Sequence, residues 1–138
     1  MKHTLKKLMT PAVLVDEQVL IRNIKRMQKK ATQLGIRMCP HVKAHKSLYI
    51  AALQMNYGAE GITAAKVSEA LPFIQAGFPA LTLAYPLVER TKINRLLRVA
   101  KQHQCALTLV RSTKGYAKVS AGKPAWINGQ ASLTLAAV

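Results

Sequence analysis

Acidic residues are scarce in this chain: five Asp and Glu stand against 21 Lys and Arg, for a formal net charge of +16. An imbalance of that size invites a nucleic-acid reading. Aromatic residues are scarce too, at 5% of the chain, and no RNA- or DNA-binding motif with interleaved aromatics is present. The stacking platforms that single-stranded nucleic acids need are therefore missing. The basic side chains fall mainly on the polar faces of predicted helices, where charge is ordinarily solvated. Beyond Glu89 the chain carries Lys and Arg but no acid, so part of the imbalance belongs to its C-terminal third. No nucleic-acid partner is expected.

Cys39 and Cys105 are the whole cysteine content and have no framework spacing, so both read as free thiols. No run of about 18 apolar residues occurs, and no membrane span is expected. Residues 1–10 carry Lys2, Lys6 and Lys7 without the apolar core of a signal peptide, which makes the cytoplasm the expected location. No Gly-x-Gly-x-x-Gly or Walker motif follows a predicted strand, which weakens nucleotide readings. What the chain does have is apolar content, at 50% of its 138 residues. That suffices for the core of one domain, or of a piece of one.

The apolar positions are organised. Residues 12–15 form a short apolar run after Pro11, a candidate strand. Asp16 is a good helix N-cap, and Leu20, Ile24, Met27, Ala31 and Leu34 then recur at helical spacing up to the stop at Gly35. The pattern predicts this helix packed on a sheet by those five side chains. A strand is predicted over 36–42 and a helix over 47–57, capped by Ser47 with Leu48, Ala51, Ala52 and Met55 inward. A strand follows over 61–64, then a helix from Ser68, placed so that Pro72 falls in its first turn. A strand over 80–84, a helix over 91–104 capped by Thr91, and a strand over 105–110 complete the series. In the last helix Ile93, Leu96, Leu97 and Ala100 point inward. Strand and helix alternating every 20–25 residues or so demand parallel strands with right-handed crossovers. The fold class is α/β, with strands read as apolar on both faces. An open doubly wound sheet and the first half of a (β/α)8 barrel both fit. In either, function gathers at the C-terminal ends of the strands, where Lys43, Thr63, Ala64 and Tyr85 lie.

Residues 39–46 concentrate the chemistry. On a strand, His41, Lys43 and His45 would share one face, with Val42 and Ala44 on the other. A lysine partly buried beside other cations has its neutral amine favoured, and a neutral amine attacks aldehydes to form a Schiff base. The plainer reading is a solvated lysine and an ordinary hydrogen-bonded histidine pair. Metal binding by His41 and His45 would suit a helix, against which Pro40 argues. After Val110 the alternation fails. Residues 111–138 carry Gly115, Gly122, Pro124 and Gly129 and no helical stripe.

A set of residues spread over 8–110 carries a family resemblance. It comprises Thr10, Pro11 and Ala12 leading to Asp16; Arg22, Asn23 and Ile24; Pro40, His41, Val42, Lys43, Ala44, His45 and Lys46; Gln54; Gly58 and Ala59; Gly61, Ile62 and Thr63; Glu69 and Ala70; Ala76 and Gly77; and Ala84, Tyr85 and Pro86. Together they resemble the N-terminal part of D-threonine aldolases and eukaryotic-type D-serine dehydratases, pyridoxal-phosphate enzymes with the alanine racemase fold. The resemblance implies a partial (β/α)8 barrel of pyridoxal-phosphate fold type III, here its first four to five βα units. It implies Lys43 as the lysine holding pyridoxal 5'-phosphate as an internal aldimine, with His41, His45, Thr63 and Tyr85 around the cofactor. It implies a lyase acting on D-β-hydroxy amino acids, cleaving D-threonine to glycine and acetaldehyde. The alternatives are D-serine dehydration, or a fragment that binds the cofactor without turnover. A divalent metal serves the family, with ligands beyond the matching region and none assigned in this chain. The family usually has Arg at the position of Cys39 and Thr at that of Ala44. Residues 1–110 are thus expected to be the N-terminal part of such a barrel. Residues 111–138 are expected to be a tail that does not match the family, out of frame or disordered. Open strand edges and an uncovered barrel interior lead to the expectation of a homodimer.

Overall fold

The computed structural model describes residues 8–110 in full, together with the backbone of residues 125–127 and 130–135. Four α-helices, α1 (Glu17–Gln33), α2 (Leu48–Asn56), α3 (Val67–Gln75) and α4 (Arg90–Gln102), alternate with short strands. Strands β1 (Ile62–Ala64), β2 (Ala80–Leu83) and β3 (Ala106–Val110) are parallel neighbours. Strand β5 (Gln130–Leu135) lies antiparallel on the far edge of β3, and β4 (Ala125–Ile127) lies antiparallel on β5, so the sheet order is β1-β2-β3-β5-β4. The expected tail thus contributes two strands to the sheet, while residues 111–124, 128–129 and 136–138 lie outside the described residues.

The core sits on one face of the parallel strands. Ile62, Ala64, Leu81, Leu83, Leu107 and Leu109 are buried there, against Ala70, Phe73 and Ile74 of α3 and Leu96 and Ala100 of α4. Phe73 meets Phe78 edge to face at 5.5 Å, the arrangement that aromatic quadrupoles favour. Gly61 is required where β1 begins: a Cβ there would lie 3.0 Å from the Ala80 carbonyl oxygen and from the Ala80 Cβ. The opposite face departs from the expected two-sided apolar strands. It carries Thr63, Thr82 and Thr108 in register across the three strands, each half-buried. Among the described residues, helices α3 and α4 cover the Leu and Ile face, and the hydroxyls stand on the other.

The N-terminal region differs from its expectation in three places. Residues 12–15 are not a strand among the described residues, and Val13 is 95% exposed. No described strand pairs with this stretch, so α1 lacks a sheet beneath it. Of its five predicted inward side chains, Ala31 is buried and Leu20 and Ile24 are half-buried, while Met27 (56%) and Leu34 (61%) are exposed. Residues 36–42 make only part of a strand. The Glu60 amide donates to the Met38 carbonyl at 2.9 Å and the Thr63 amide to the Pro40 carbonyl at 2.8 Å, with His41 bridged in parallel to Thr63. Pro40 has no N–H to extend that ladder, and the chain turns into a 3-10 turn, Val42–Ala44.

Helix boundaries follow local chemistry. Asp16 accepts from the Val19 amide at 3.0 Å and Ser47 from the Ile50 amide at 3.3 Å, as N-caps should. On α2, Ala51 is buried and Met55 half-buried, whereas Leu48 and Ala52 are exposed because little covers that side. Helix α3 begins at Val67, which places Pro72 beyond the first turn rather than within it. Both Ser68 and Pro72 are exposed, so the Ser68 carbonyl left without its helical donor can be solvated. Glu89, not Thr91, occupies the N-cap of α4; the Thr91 hydroxyl donates to the Glu89 carboxylate at 2.6 Å, which turns the threonine away from capping.

Candidate active site

The short turn that ends the 38–41 pairing carries Lys43. The Lys43 amide donates to Nδ1 of His41 at 3.2 Å, and the His45 and Lys46 amides donate to the Val42 carbonyl at 3.2 and 2.8 Å. Val42 is fully buried and anchors the turn in the core, whereas Lys43 is exposed. The expected strand-like sharing of one face by His41, Lys43 and His45 is therefore absent. A 3-10 turn steps side chains around an axis with a period near three, not two. The partial burial expected of Lys43 is absent as well, because the turn stands proud of the sheet end and no described segment covers it.

His41 sits beside Lys43, bridged to Thr63 at the end of β1. Burial, together with the nearby Lys43 charge, holds its imidazole below the usual histidine value, against an opposing pull from Glu69. With Nδ1 accepting the Lys43 amide, the neutral ring carries its proton on Nε2. His45 is engaged differently. Its Nδ1 accepts from the Ser47 amide at 3.0 Å, tying it to the start of α2. Its Nε2 and Oε1 of Gln54 are buried without a well-formed hydrogen bond. Burial lowers its pKa. Gln54 has no assigned role in the sequence reading beyond its place in the family resemblance.

Thr63 stands next to His41, but its hydroxyl donates to the Cys39 carbonyl at 2.8 Å. That bond fastens the 38–41 segment to β1. Tyr85 follows β2, where the Ala84 amide donates to the Ala64 carbonyl at 3.0 Å, and is 67% exposed. It lines a cleft of about 590 Å³ with Lys66, Ser68, Leu87, Lys92 and Arg95, between α3 and α4. A second cavity, about 320 Å³, lies under α1 and is lined by Ile24, Met27, His41 and Gln54 among others. Lys43 lines neither. Lys43, His41 and Thr63 are thus brought together, His45 is turned to the base of α2, and Tyr85 faces a different cleft.

Sequence reasoning also passed over the partner of Lys46. Glu69, named in the sequence only as part of the family resemblance, is 9% exposed in its side chain; its Oε1 lies 3.4 Å from Lys46 Nζ and its Oε2 accepts from the Ala65 amide at 3.2 Å. Burial pushes its carboxyl up, but the Ala65 amide and the Lys46 charge override this and hold it below the usual carboxylate value. Only the Ala65 contact has a local signal, an acid in the first turn of a helix five residues after the end of a strand; the pairing with Lys46 spans 23 residues and has none.

Parallel βα units, with an exposed lysine on the turn beside β1, make this an α/β scaffold. The alanine racemase N-terminal domain matches residues 15–128, and the chain belongs to that family. It is 38% identical over 99 residues to a D-threonine aldolase of Arthrobacter sp., covering 70% of this chain and 26% of that protein. It is 46% identical over 77 residues to the D-threo-3-hydroxyaspartate dehydratase of Delftia sp. (strain HT23), covering 56% of this chain and 20% of that protein. The crystal structure of D-threonine aldolase from Filomicrobium marinum superposes with a TM-score of 0.69 at 34% identity, covering 75% of this chain and 27% of that one. The chain therefore spans about a quarter of the length of the relatives it matches. The family match extends past Val110 to residue 128. Among the described residues, no helix is long and apolar enough to cross a membrane.

Proposed function

We propose that this chain is part of a pyridoxal 5'-phosphate-dependent lyase acting on D-β-hydroxy amino acids, of the D-threonine aldolase type, with Lys43 as the covalent anchor of the cofactor. The observation that carries the reading is the exposed amine of Lys43, on a turn fixed at the end of β1 and beside a histidine held neutral. The residues present suit that cofactor at its attachment point: a primary amine open to an aldehyde, and His41 Nε2–H as a neutral donor. Bound there, the cofactor supplies an electron sink for a substrate carbanion. The chain's own residues do the rest. His41, fixed through its Nδ1, can present or hold a proton at Nε2, and Thr63 keeps the 38–41 segment on the sheet through the Cys39 carbonyl. His45 Nδ1 is engaged at the start of α2, and Tyr85 lines the cleft between α3 and α4. Among the described residues no group of three or more His, Cys, Asp or Glu could hold a divalent metal.

A dehydratase acting on the same class of substrate is the second reading, favoured by the 46% identity to the Delftia enzyme. Both share the anchor. Borohydride reduction after incubation with pyridoxal 5'-phosphate, followed by peptide mapping, tests it. The expected result is a pyridoxyl label on Lys43 that is lost in Lys43→Ala. A label on Lys46, or one spread over the surface lysines, overturns the assignment.

A further inference from the structure

Lys43 sits in the middle of a closed loop of contacts whose fastening point is remote from it in sequence. From Thr63 the path runs across the parallel bridge to His41 and through the Val42–Ala44 turn to Lys46. From Lys46 it crosses the ion pair to Glu69 and returns through the Ala65 amide to the end of β1. Glu69 is the closing link, because its two carboxylate oxygens engage two different segments: the turn that bears Lys43 and the connection from β1 to α3.

Two observations give that link weight. Lys46 is held at φ +50, in the left-handed region that a residue with a side chain seldom adopts. Such a conformation persists where the surroundings over-determine it. Here the Lys46 amide donates to the Val42 carbonyl at 2.8 Å while the Lys46 ammonium lies 3.4 Å from Glu69. The second observation is burial. The Glu69 side chain is 9% exposed whereas that of Lys46 is 59% exposed. The carboxylate is thus the fixed partner and the lysine the one that is reeled in. A largely covered carboxylate in a chain of net charge +16 takes a cation as partner, and that cation is three residues from Lys43.

We propose that Glu69 is a positioning residue for Lys43: through Lys46 it clamps the Val42–Ala44 turn to the end of β1 and so holds the Lys43 amine at the mouth of the sheet. The role rests on the reading of Lys43 as the cofactor anchor, but the clamp can be measured without the cofactor. The carboxylate touches neither the amine nor a substrate; it acts on the turn.

The experiment uses the full chain with Glu69→Gln, Lys46→Met and the double variant. Hydrogen exchange reads the His45 and Lys46 amides, which are bonded to Val42 in the intact turn. The extent of borohydride-trapped label on Lys43 is measured in parallel, with pyridoxal 5'-phosphate as the probe. Each single variant is expected to speed exchange at both amides and to cut Lys43 labelling, each by about tenfold, the loss of one charge-assisted hydrogen bond. The double variant is expected to be no worse than either, since both remove the same contact, and Lys46→Arg should restore labelling. Exchange at the two amides as slow in Glu69→Gln as in the parent chain overturns the proposal. So does Lys46→Met behaving like the parent chain, an outcome that remains readable if Glu69→Gln fails to fold. An unlabelled parent chain with faster exchange in the variants upholds the clamp and removes the cofactor reading instead.

Discussion

Residues 59–110 and residues 8–47 put their apolar sequence to different effect. In the first region β1, β2 and β3 lie under α3 and α4, and Ile62, Ile74, Leu81, Leu83, Leu96 and Leu107 are fully buried. In the second, α1 packs on α2, and no described strand lies beneath it. Met9, Val13, Leu14, Val15, Met27, Leu34 and Ile36 are all exposed there. Amphipathic periodicity is equally good in both. The difference is that burial needs two surfaces, and the described residues supply the second one only for α3 and α4. Helix α1 is held instead by polar and cation–π contacts at its rim, the Glu17–Tyr49 hydrogen bond and Lys25 over the Tyr57 ring at 5.1 Å.

Substitutions can sharpen that contrast. Ile74→Asp should unfold the chain, at a cost above about 4 kcal/mol, because it places an unpaired charge in the core; a urea transition close to that of the parent chain would count against the packed region. Gly61→Ala should cost about 1–3 kcal/mol by overpacking against the Ala80 backbone, read from the same transition. Ile24→Asp, on the half-buried side of α1, should cost about 1–2 kcal/mol. Met27→Asp, fully in the loose region, should cost less than about 0.5 kcal/mol. If the expected homodimer forms through these exposed apolar residues, Met27→Asp should also weaken it, as read by sedimentation. Equal costs at Ile74 and Met27 would erase the comparison.

The smallest effect concerns acid. His45, at the junction of the two regions, is held below its ordinary 6.5 by burial. As pH falls past the ordinary value, the unfolded chain takes up the proton before the folded chain does. Stability present above 6.5 therefore declines below it, down to the folded pKa. A His45→Asn chain should show a flatter stability profile over that range in thermal melts at successive pH values, while Glu69 continues to withdraw stability at lower pH as its depressed carboxyl is protonated.

The sequence by itself determined the alternation of helices and strands, the parallel order of β1 to β3, the caps at Asp16 and Ser47, and the place of Lys43 at a strand end. Each rests on local periodicity, on cap chemistry or on short-range connection rules, all carried by residues close together in the chain. The tertiary structure decided the rest. It turned residues 42–44 into a 3-10 turn after a proline that cannot donate. It placed β5 antiparallel on β3, left Met27 and Leu34 uncovered, and joined Glu69 to Lys46. Those outcomes depend on which surfaces meet and which carbonyls find donors across separations of twenty residues and more. A hydrophobic stripe states that a face is fit to be buried, and only the assembled chain determines whether another face is there to bury it.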